Sequence, residues 1–482
     1  MAVISSPTYD PTTTATNLAN AYVAPTKAIL DKQGTKATAV GSGLTALSSA
    51  LSAFQTALQG MASSTASVTA TKATFSNSAI GTATAKSSAT AGTYSFYVQQ
   101  LATAGQVAYN IDSGADGAGP AGANAGSLTV NLKTGDPIEV DLTKADSNND
   151  GFLSAKEVAA AINASGDNKS RVIASTMTVN NQTRLVLTSS ATGADNQVTS
   201  IDSSATVDAG LRDALLTTSQ SVLTQAVNAK VLIGDKNGTL VEQASNTFSI
   251  VDDVKFTITQ AQGANDAAVN LTVAPDNTGT AANVQKFVDA YNTLMASIKT
   301  LTAAGDHTLV SSTDSNATPS PTSEDAAFYN DAGVLNLRDR LGAILRDATG
   351  GQSLISFGIT AAKDGTLTLD STRLNKAIAA NPSGLDKLLG RAGTGVDTGV
   401  LGSMNKLTTS WTTSAGGLLV QRKAQNAKLT NDITDRQATL QNQFNSAYKR
   451  YLTQFTALQQ LQSSMTSTSN MFTAMFSTNS SS

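Results

Sequence analysis

The residues best suited to chemistry stand together at 146–157, in the run Asp146-Ser147-Asn148-Asn149-Asp150-Gly151-Phe152-Leu153-Ser154-Ala155-Lys156-Glu157. The run matches every position of the twelve-residue calcium loop D-x-[DN]-x-[DN]-G-x5-E. Asp146, Asn148 and Asp150 supply side-chain oxygens at positions one, three and five. Gly151 permits the sharp turn, Phe152 offers its carbonyl, and Ser154 ligates directly or through water. Glu157 closes the site with both carboxylate oxygens, and Leu153 is the apolar residue expected after the turn. A single site of this kind is structural and weak, with a Kd of roughly 10⁻⁴–10⁻³ M. A second reading uses part of the same run. Ser154 can cap the helix that follows, and Glu157 can complete a capping box three residues later. That reading accounts for Ser154 and Glu157 but not for Asp146, Asn148, Asp150 and Gly151 together. The segment before Asp146 reads as strand, so the entering helix of a paired calcium motif is missing, and no second loop follows.

Other chemistry is largely excluded by inventory. The chain has no cysteine and one histidine, His307, in a Gly/Asp/Ser/Thr-rich stretch where it reads as solvated. Ser-His-Asp triads and Cys/His metal sites need more than this. Carboxylate pairs need no histidine, but no pair of acids sits in an apolar context that would raise a pKa. A formal GxGxxG occurs at Gly117, Gly119 and Gly122. It neither follows a strand nor opens a helix, and Pro120 interrupts it, so it does not read as a nucleotide loop. No catalytic residue is expected, and no cofactor is required; structural calcium is the one candidate.

The elements that would position such a loop follow from periodicity. AGTYSFYVQQ alternates through Tyr94, Phe96 and Val98, and SLTVNL and PIEVDL alternate likewise, which predicts strands. RVIASTMTVNNQTRLVLTSS reads as a hairpin turning at Asn-Asn. VAAAIN predicts a short helix after the acidic loop, and AKVLIG, NTFSIV, VKFTIT and VNLTV predict further strands. VQKFVDAYNTLMASIKTL carries a broad apolar face, so it predicts a core helix.

The two ends of the chain carry a different rule. Val40, Leu44, Leu47, Leu51, Phe54, Leu58 and Met61 are spaced alternately by four and three, an a/d heptad stripe. Near the other end, Phe444, Tyr451, Leu458, Met465 and Phe472 are each seven apart, and Ile433, Leu440 and Leu461 fall on the companion phase. The two stripes are expected to partner each other and to supply an oligomer seam. Gln454 and Thr468 interrupt the second one.

Helix at both ends and strand between them predict an α+β multidomain chain. Terminal heptad helices form a helical or coiled-coil stalk, and nested β-rich domains are inserted as a head. The expected bounds are a flexible segment at 1–39, a helical leg at 40–71 plus 279–410, and a β-rich domain at 72–110 plus 225–278. A distal β-rich domain at 111–224 and a coiled-coil helix at 411–482 complete the chain. Only 14% of residues are charged and 5% aromatic, so cores rest on small aliphatics. A net charge of −3 and pI near 5.3 give no reason to expect nucleic acid. No run of 18 apolar residues predicts a membrane span. The first twenty residues lack the basic and apolar regions of a cleaved signal peptide.

Several segments, in order, resemble one known family. They are AGTYSFYVQQLATA, RLVLTSSATGADN, NTFSIVDDVKFTIT, VQKFVDAYNTLM, FGITAAKDGTLTLDSTRLNKAI and YKRYLTQFTALQQLQSSMTSTSNMFTAMF. The resemblance is to the flagellar filament-capping, or hook-associated 2, proteins. It implies an extracellular homo-oligomer at the flagellar tip, commonly of five copies, that retains exported flagellin and promotes its folding and insertion. It also implies hook–filament junction proteins and an export chaperone as partners, and secretion by the flagellar type III apparatus. A surface adhesin binding mucin or glycans through the β domains is the alternative.

Overall fold

The N-terminal helix begins earlier than its apolar stripe. In a computed structural model, which describes residues 10–111, 126–150, 153–305, 325–347 and 352–477, α1 runs from Pro11 to Met61. The stretch from 11 to 39 is therefore helical, against the expectation of a flexible segment. The reason is local. Asp10 caps the helix by accepting from the backbone N–H groups of Thr12 and Thr13, and Pro11 occupies the first helical position, where its missing N–H costs nothing. Pro25 lies inside the helix on an exposed face. Pro11 thus starts the helix, and Pro25 is accommodated on its solvent side.

The chain divides into two units, residues 1–68 with 280–482 and residues 69–279. The second is inserted into the first, so helices from both ends and a nested β-rich insertion form the expected α+β architecture. The inserted unit contains β1 (Ala70–Phe75), β2 (Gly81–Ala85), β3 (Gly92–Gln100), β4 (Gln106–Asn110), β5 (Ser127–Leu132), β6 (Ile138–Asp141) and α2 (Ala155–Ala164). It continues through β7 (Val172–Val179), β8 (Gln182–Ser189), β9 (Val198–Ser203), α3 (Ala209–Ala214), β10 (Gln220–Thr224) and β11 (Ala229–Ile233), then β12 (Thr239–Gln243), β13 (Thr247–Phe248), β14 (Val254–Ile258) and β15 (Val269–Asp276).

This unit has two cores. One lies between an antiparallel sheet of order β1-β15-β3-β11-β12 and a smaller sheet of order β13-β14-β2. Phe256 is central to it, with Phe96, Phe248 and Phe75 at ring-centroid distances of 4.9, 5.4 and 5.7 Å. The other packs the sheets β10-β4-β8-β7 and β6-β5-β9 with α2 and α3 around Tyr109, Leu185 and Val158. It begins with β4 at Gln106 rather than at 111. The β7–β8 hairpin turns at Asn180 and Asn181, both left-handed at φ 52° and 60°, which is what a two-residue hairpin turn requires.

The other unit is helical: α4 (Asn277–Leu301), α5 (Ala332–Arg346), a two-stranded ribbon of β16 (Ile359–Ala361) and β17 (Leu367–Leu369), α6 (Ser371–Ala380), α7 (Gly384–Leu389), α8 (Gly399–Thr412) and α9 (Leu418–Ser477). Leu44, Leu47, Leu51, Phe54, Leu58 and Met61 of α1 are buried against α4, α5, α7 and α8. Trp411 and Leu419 belong to the same core, so no boundary falls at 411. One 18-residue window of α1 reaches a mean hydropathy of 1.2, enough by composition alone to cross a membrane. The apolar positions from Leu44 to Met61 are instead spent on this core.

Candidate functional site

The heptad stripe of α1 does not meet the stripe of α9. Its residues from Leu44 onward are the chain's own helical core, with Val40 half-buried at the edge, so they are not an oligomer seam. The stripe looked narrow because its flanks are Gly, Ala and Ser. Small residues widen a helix contact without adding to the apolar pattern. At Gly43 an added Cβ would stand 2.6 Å from Cβ of Ala327, so the backbone itself lies on its neighbour.

The partner of α9 is the first half of α1. Asn426 Nδ2 donates to the carbonyl of Ala37, Ile433 lies 4.0 Å from the Cβ direction of Gly34, and Arg436 donates to Gln33. Leu440, with Phe444 beside it, packs with Val23 and Leu30. Numbers rise on one helix as they fall on the other, so the pair is antiparallel. On the first half of α1 the buried positions are Pro11, Ala15, Ala19, Val23, Leu30 and Ala37; facing them on α9 are Ile433, Leu440 and Ala447. Three of the six on α1 are alanine, a signal that an apolar-periodicity scan passes over.

The α9 stripe then outlasts its cover. Phe444 and Tyr451 are half-buried. Beyond them Leu458 is 41% exposed, Leu461 57%, Met465 64% and Phe472 56%, all on the same heptad phases. From Tyr451 to Ser477 the helix contains no Asp, Glu, Lys or Arg. An uncharged helix with an exposed a/d stripe is a surface for another helix.

The acidic loop is arranged around Glu157, which is buried at 5% exposure. Its Oε1 accepts from N and Oγ of Ser147, at 2.8 and 2.9 Å, and from N of Asn148. Its Oε2 accepts from N and Oγ of Ser154, at 2.9 and 2.8 Å, and Ser154 Oγ in turn accepts from the Glu157 N–H. The capping box is complete. Burial alone would push this carboxyl up, but the hydrogen bonds from Ser154 and Ser147 outweigh it and hold the pKa down at about 2. Asn148 and Asp150 hydrogen-bond each other, at 2.7 Å through side chains and 3.0 Å through the Asp150 N–H. Phe152 and Gly151 lie outside the described residues. In this arrangement both carboxylate oxygens of Glu157 accept hydrogen bonds, Oε1 from Ser147 and Oε2 from Ser154. Among the described residues no three His, Asp or Glu side chains gather into a metal cluster. His307 and the glycines at 117, 119 and 122 also lie outside the described residues.

A helical unit built from both chain ends, a nested β-rich unit and an exposed helix seam define a structural assembly protein. Comparison with known proteins is specific. Residues 8–105 match the N-terminal model of flagellar hook-associated protein 2, and residues 226–467 match its C-terminal model. The lateral flagellar hook-associated protein 2 of Vibrio parahaemolyticus is 30% identical over 395 residues, covering 81% of this chain and 83% of that protein. The B-type flagellar hook-associated protein 2 of Pseudomonas aeruginosa is 31% identical over 407 residues, covering 81% and 80%. The crystal structure of the flagellar cap protein FliD D1-D2-D3 domains from Escherichia coli shares the fold, with a TM-score of 0.56 over 80% of this chain and 98% of that one at 24% identity. The chain belongs to the flagellar hook-associated protein 2 family, the caps of the flagellar filament. These relatives support the cap reading and lend nothing to the adhesin alternative.

Proposed function

We propose that this chain works as a closed ring of several copies, five being the expected number, at the distal tip of an extracellular flagellum. It retains exported flagellin there and promotes its folding and insertion. The role is mechanical rather than catalytic. The observation that carries the reading is the exposed, uncharged heptad stripe of α9 beyond Tyr451. It continues the phase of a seam that α1 covers and so invites helices from outside the chain. Further copies, flagellin and hook–filament junction proteins are its occupants in assembly, and an export chaperone is its occupant before secretion through the flagellar type III apparatus.

Two measurements test this. A strain lacking the protein should secrete flagellin monomers and build no filament, and the wild-type chain should restore filaments while a Met465→Glu/Phe472→Glu variant should not. Native mass measurement of the assembled ring should return a single multiple of the chain mass. A normal filament in the deletion strain would remove the cap role, and a strictly monomeric chain at assembly concentrations would remove the ring. Structural calcium in the 146–157 loop is a separate proposal, in which Glu157 exchanges its hydrogen bonds with Ser147 and Ser154 for the ion.

A further inference from the structure

The sheet of order β10-β4-β8-β7 has two edges, and the fold treats them differently. β10 is broken by a bulge between Val222 and Thr224, a device that turns an edge away from further pairing. β7 pairs with β8 over all eight residues without a shift in register. Its run, Val172-Ile173-Ala174-Ser175-Thr176-Met177-Thr178-Val179, carries no charge and no proline. Long, uncharged, unbroken edges of this kind recruit further strands.

The register tells which backbone groups of β7 point outward. The two-residue turn at Asn180 and Asn181 closes on Val179 and Gln182. Val179, Met177, Ser175 and Ile173 therefore direct their N–H and C=O groups to β8, and those of Val172, Ala174, Thr176 and Thr178 face away. Two asparagines meet the first two of these. Asn163, in the last turn of α2, accepts from the Ala174 N–H at 2.8 Å and donates to the Ala174 carbonyl at 2.7 Å. Asn168, in the turn after α2, accepts from the Val172 N–H at 2.9 Å and donates to the Val172 carbonyl at 2.8 Å. Lys169 and Ser170, left-handed at φ 46° and 58°, turn the chain back between Asn168 and β7. A side-chain amide offers the same donor and acceptor as a peptide group, so the two asparagines stand where a neighbouring strand would. The cover ends at Ala174. Among the described residues no hydrogen bond reaches the outward groups of Thr176 or Thr178, and Ser175 to Thr178 are exposed.

We propose that Asn163 and Asn168 guard the edge of β7 against a second copy of this chain. Their amides occupy the backbone positions that β7 of another copy would use in antiparallel pairing. Two outward residues remain open on the strand, too few to hold a strand of ordinary length. The guard is a property of the inserted unit, so its test does not depend on ring size or on the seam of α9.

Hydrogen exchange resolved to single amides reads the guard in the full-length chain, at a concentration where it is monomeric. In the wild type, Val172 and Ala174 should exchange slowly, and Thr176 and Thr178 fast. Asn163→Ala should speed Ala174 about fivefold, the scale of one net hydrogen bond, and leave the amides of β8 unchanged. Asn163 is exposed, so this variant keeps the fold. The chain has no cysteine, so Thr176→Cys reports pairing between copies. Once Ala174 is uncovered, the open positions Ala174, Thr176 and Thr178 centre on Thr176, and two antiparallel edges meet there. A short thiol cross-linker should therefore join copies of Asn163→Ala/Thr176→Cys and leave Thr176→Cys alone as single chains. Asn163→Asp still accepts from the Ala174 N–H but places a charge on the edge, so Asn163→Asp/Thr176→Cys should stay single as well. A wild-type Ala174 amide that exchanges as fast as that of Thr176 would overturn the guard. So would equal cross-linking of Thr176→Cys with and without Asn163→Ala.

Discussion

Leu440 and Leu461 share a heptad phase on α9 and differ in what covers them. Leu440 is 8% exposed against Val23 and Leu30, whereas Leu461 is 57% exposed. Truncating each to alanine separates the two halves of the seam. A buried leucine costs about 2–5 kcal/mol on truncation. The cluster around Leu440 is small, so the lower end applies, about 2 kcal/mol. At about 1.4 kcal/mol per tenfold, that is a loss of roughly 30-fold in the ratio of closed to open α1–α9 pairs. Hydrogen exchange of the amides at 15–30 in dilute protein should rise by that factor in Leu440→Ala. Leu461→Ala should stay within about 0.5 kcal/mol of wild type in the same assay, as exposed positions do. In the assembled ring the order changes. Covering the exposed half of Leu461 is worth about 1–1.5 kcal/mol per contact, so Leu461→Ala should weaken assembly about tenfold while leaving the monomer intact. Equal acceleration of exchange in the two monomeric variants would mean that α9 is covered along its whole length within one chain, and the reasoning about its exposed half would fail.

Four further outcomes are expected. Phe54→Ala should destabilise the helical unit by about 3–5 kcal/mol in chemical denaturation, because Phe54 is 2% exposed and meets Tyr291 edge-on at 6.4 Å. Glu157 has a folded pKa of about 2 against an ordinary 4.5, so its hydrogen bonds contribute fully above pH 4.5 and are lost as pH falls towards 2. Glu157→Gln should therefore flatten the acid limb of the stability curve. A calcium titration followed by calorimetry tests the loop itself: heat present in wild type and lost in Glu157→Gln shows that the ion displaces the capping box, and equal heats rule the site out. Finally, Gln454→Leu and Thr468→Leu should leave the monomer's midpoint within about 0.5 kcal/mol of wild type, since both side chains are exposed, yet slow filament growth measured by swarm diameter.

Much of the architecture is legible in the sequence because each element repeats its own period. Tyr94, Phe96 and Val98 mark a strand, Asn180-Asn181 a hairpin, and Val284 to Leu301 a core helix, and each is found as expected. What was not legible has physical causes. Ala15, Ala19 and Ala37 make a helix seam without looking apolar, so the first half of α1 reads as a flexible segment. Spacing also shows that a stripe exists but not which helix covers it. The stripe from Leu44 to Met61 fits a coiled coil and a globular core equally well until its neighbours are known. At the acidic loop, a calcium site and a capping box both ask for glutamate three residues after Ser154. The carboxylate points towards Ser147 and Ser154 in this structure, and that direction is a tertiary property that spacing does not carry.

The nesting of one unit within the other also sets when each can fold. The inserted unit is one continuous stretch, residues 69–279, and can complete itself once that stretch is available. The helical unit cannot. Its core joins Leu44 to Leu419, and Gln55 bonds Thr409 across 354 positions of sequence. Such distant closures are slow, because loop entropy is spent before the contacts form. The helical core therefore cannot close until the chain as far as Leu419 is available, whereas the inserted unit has no such wait.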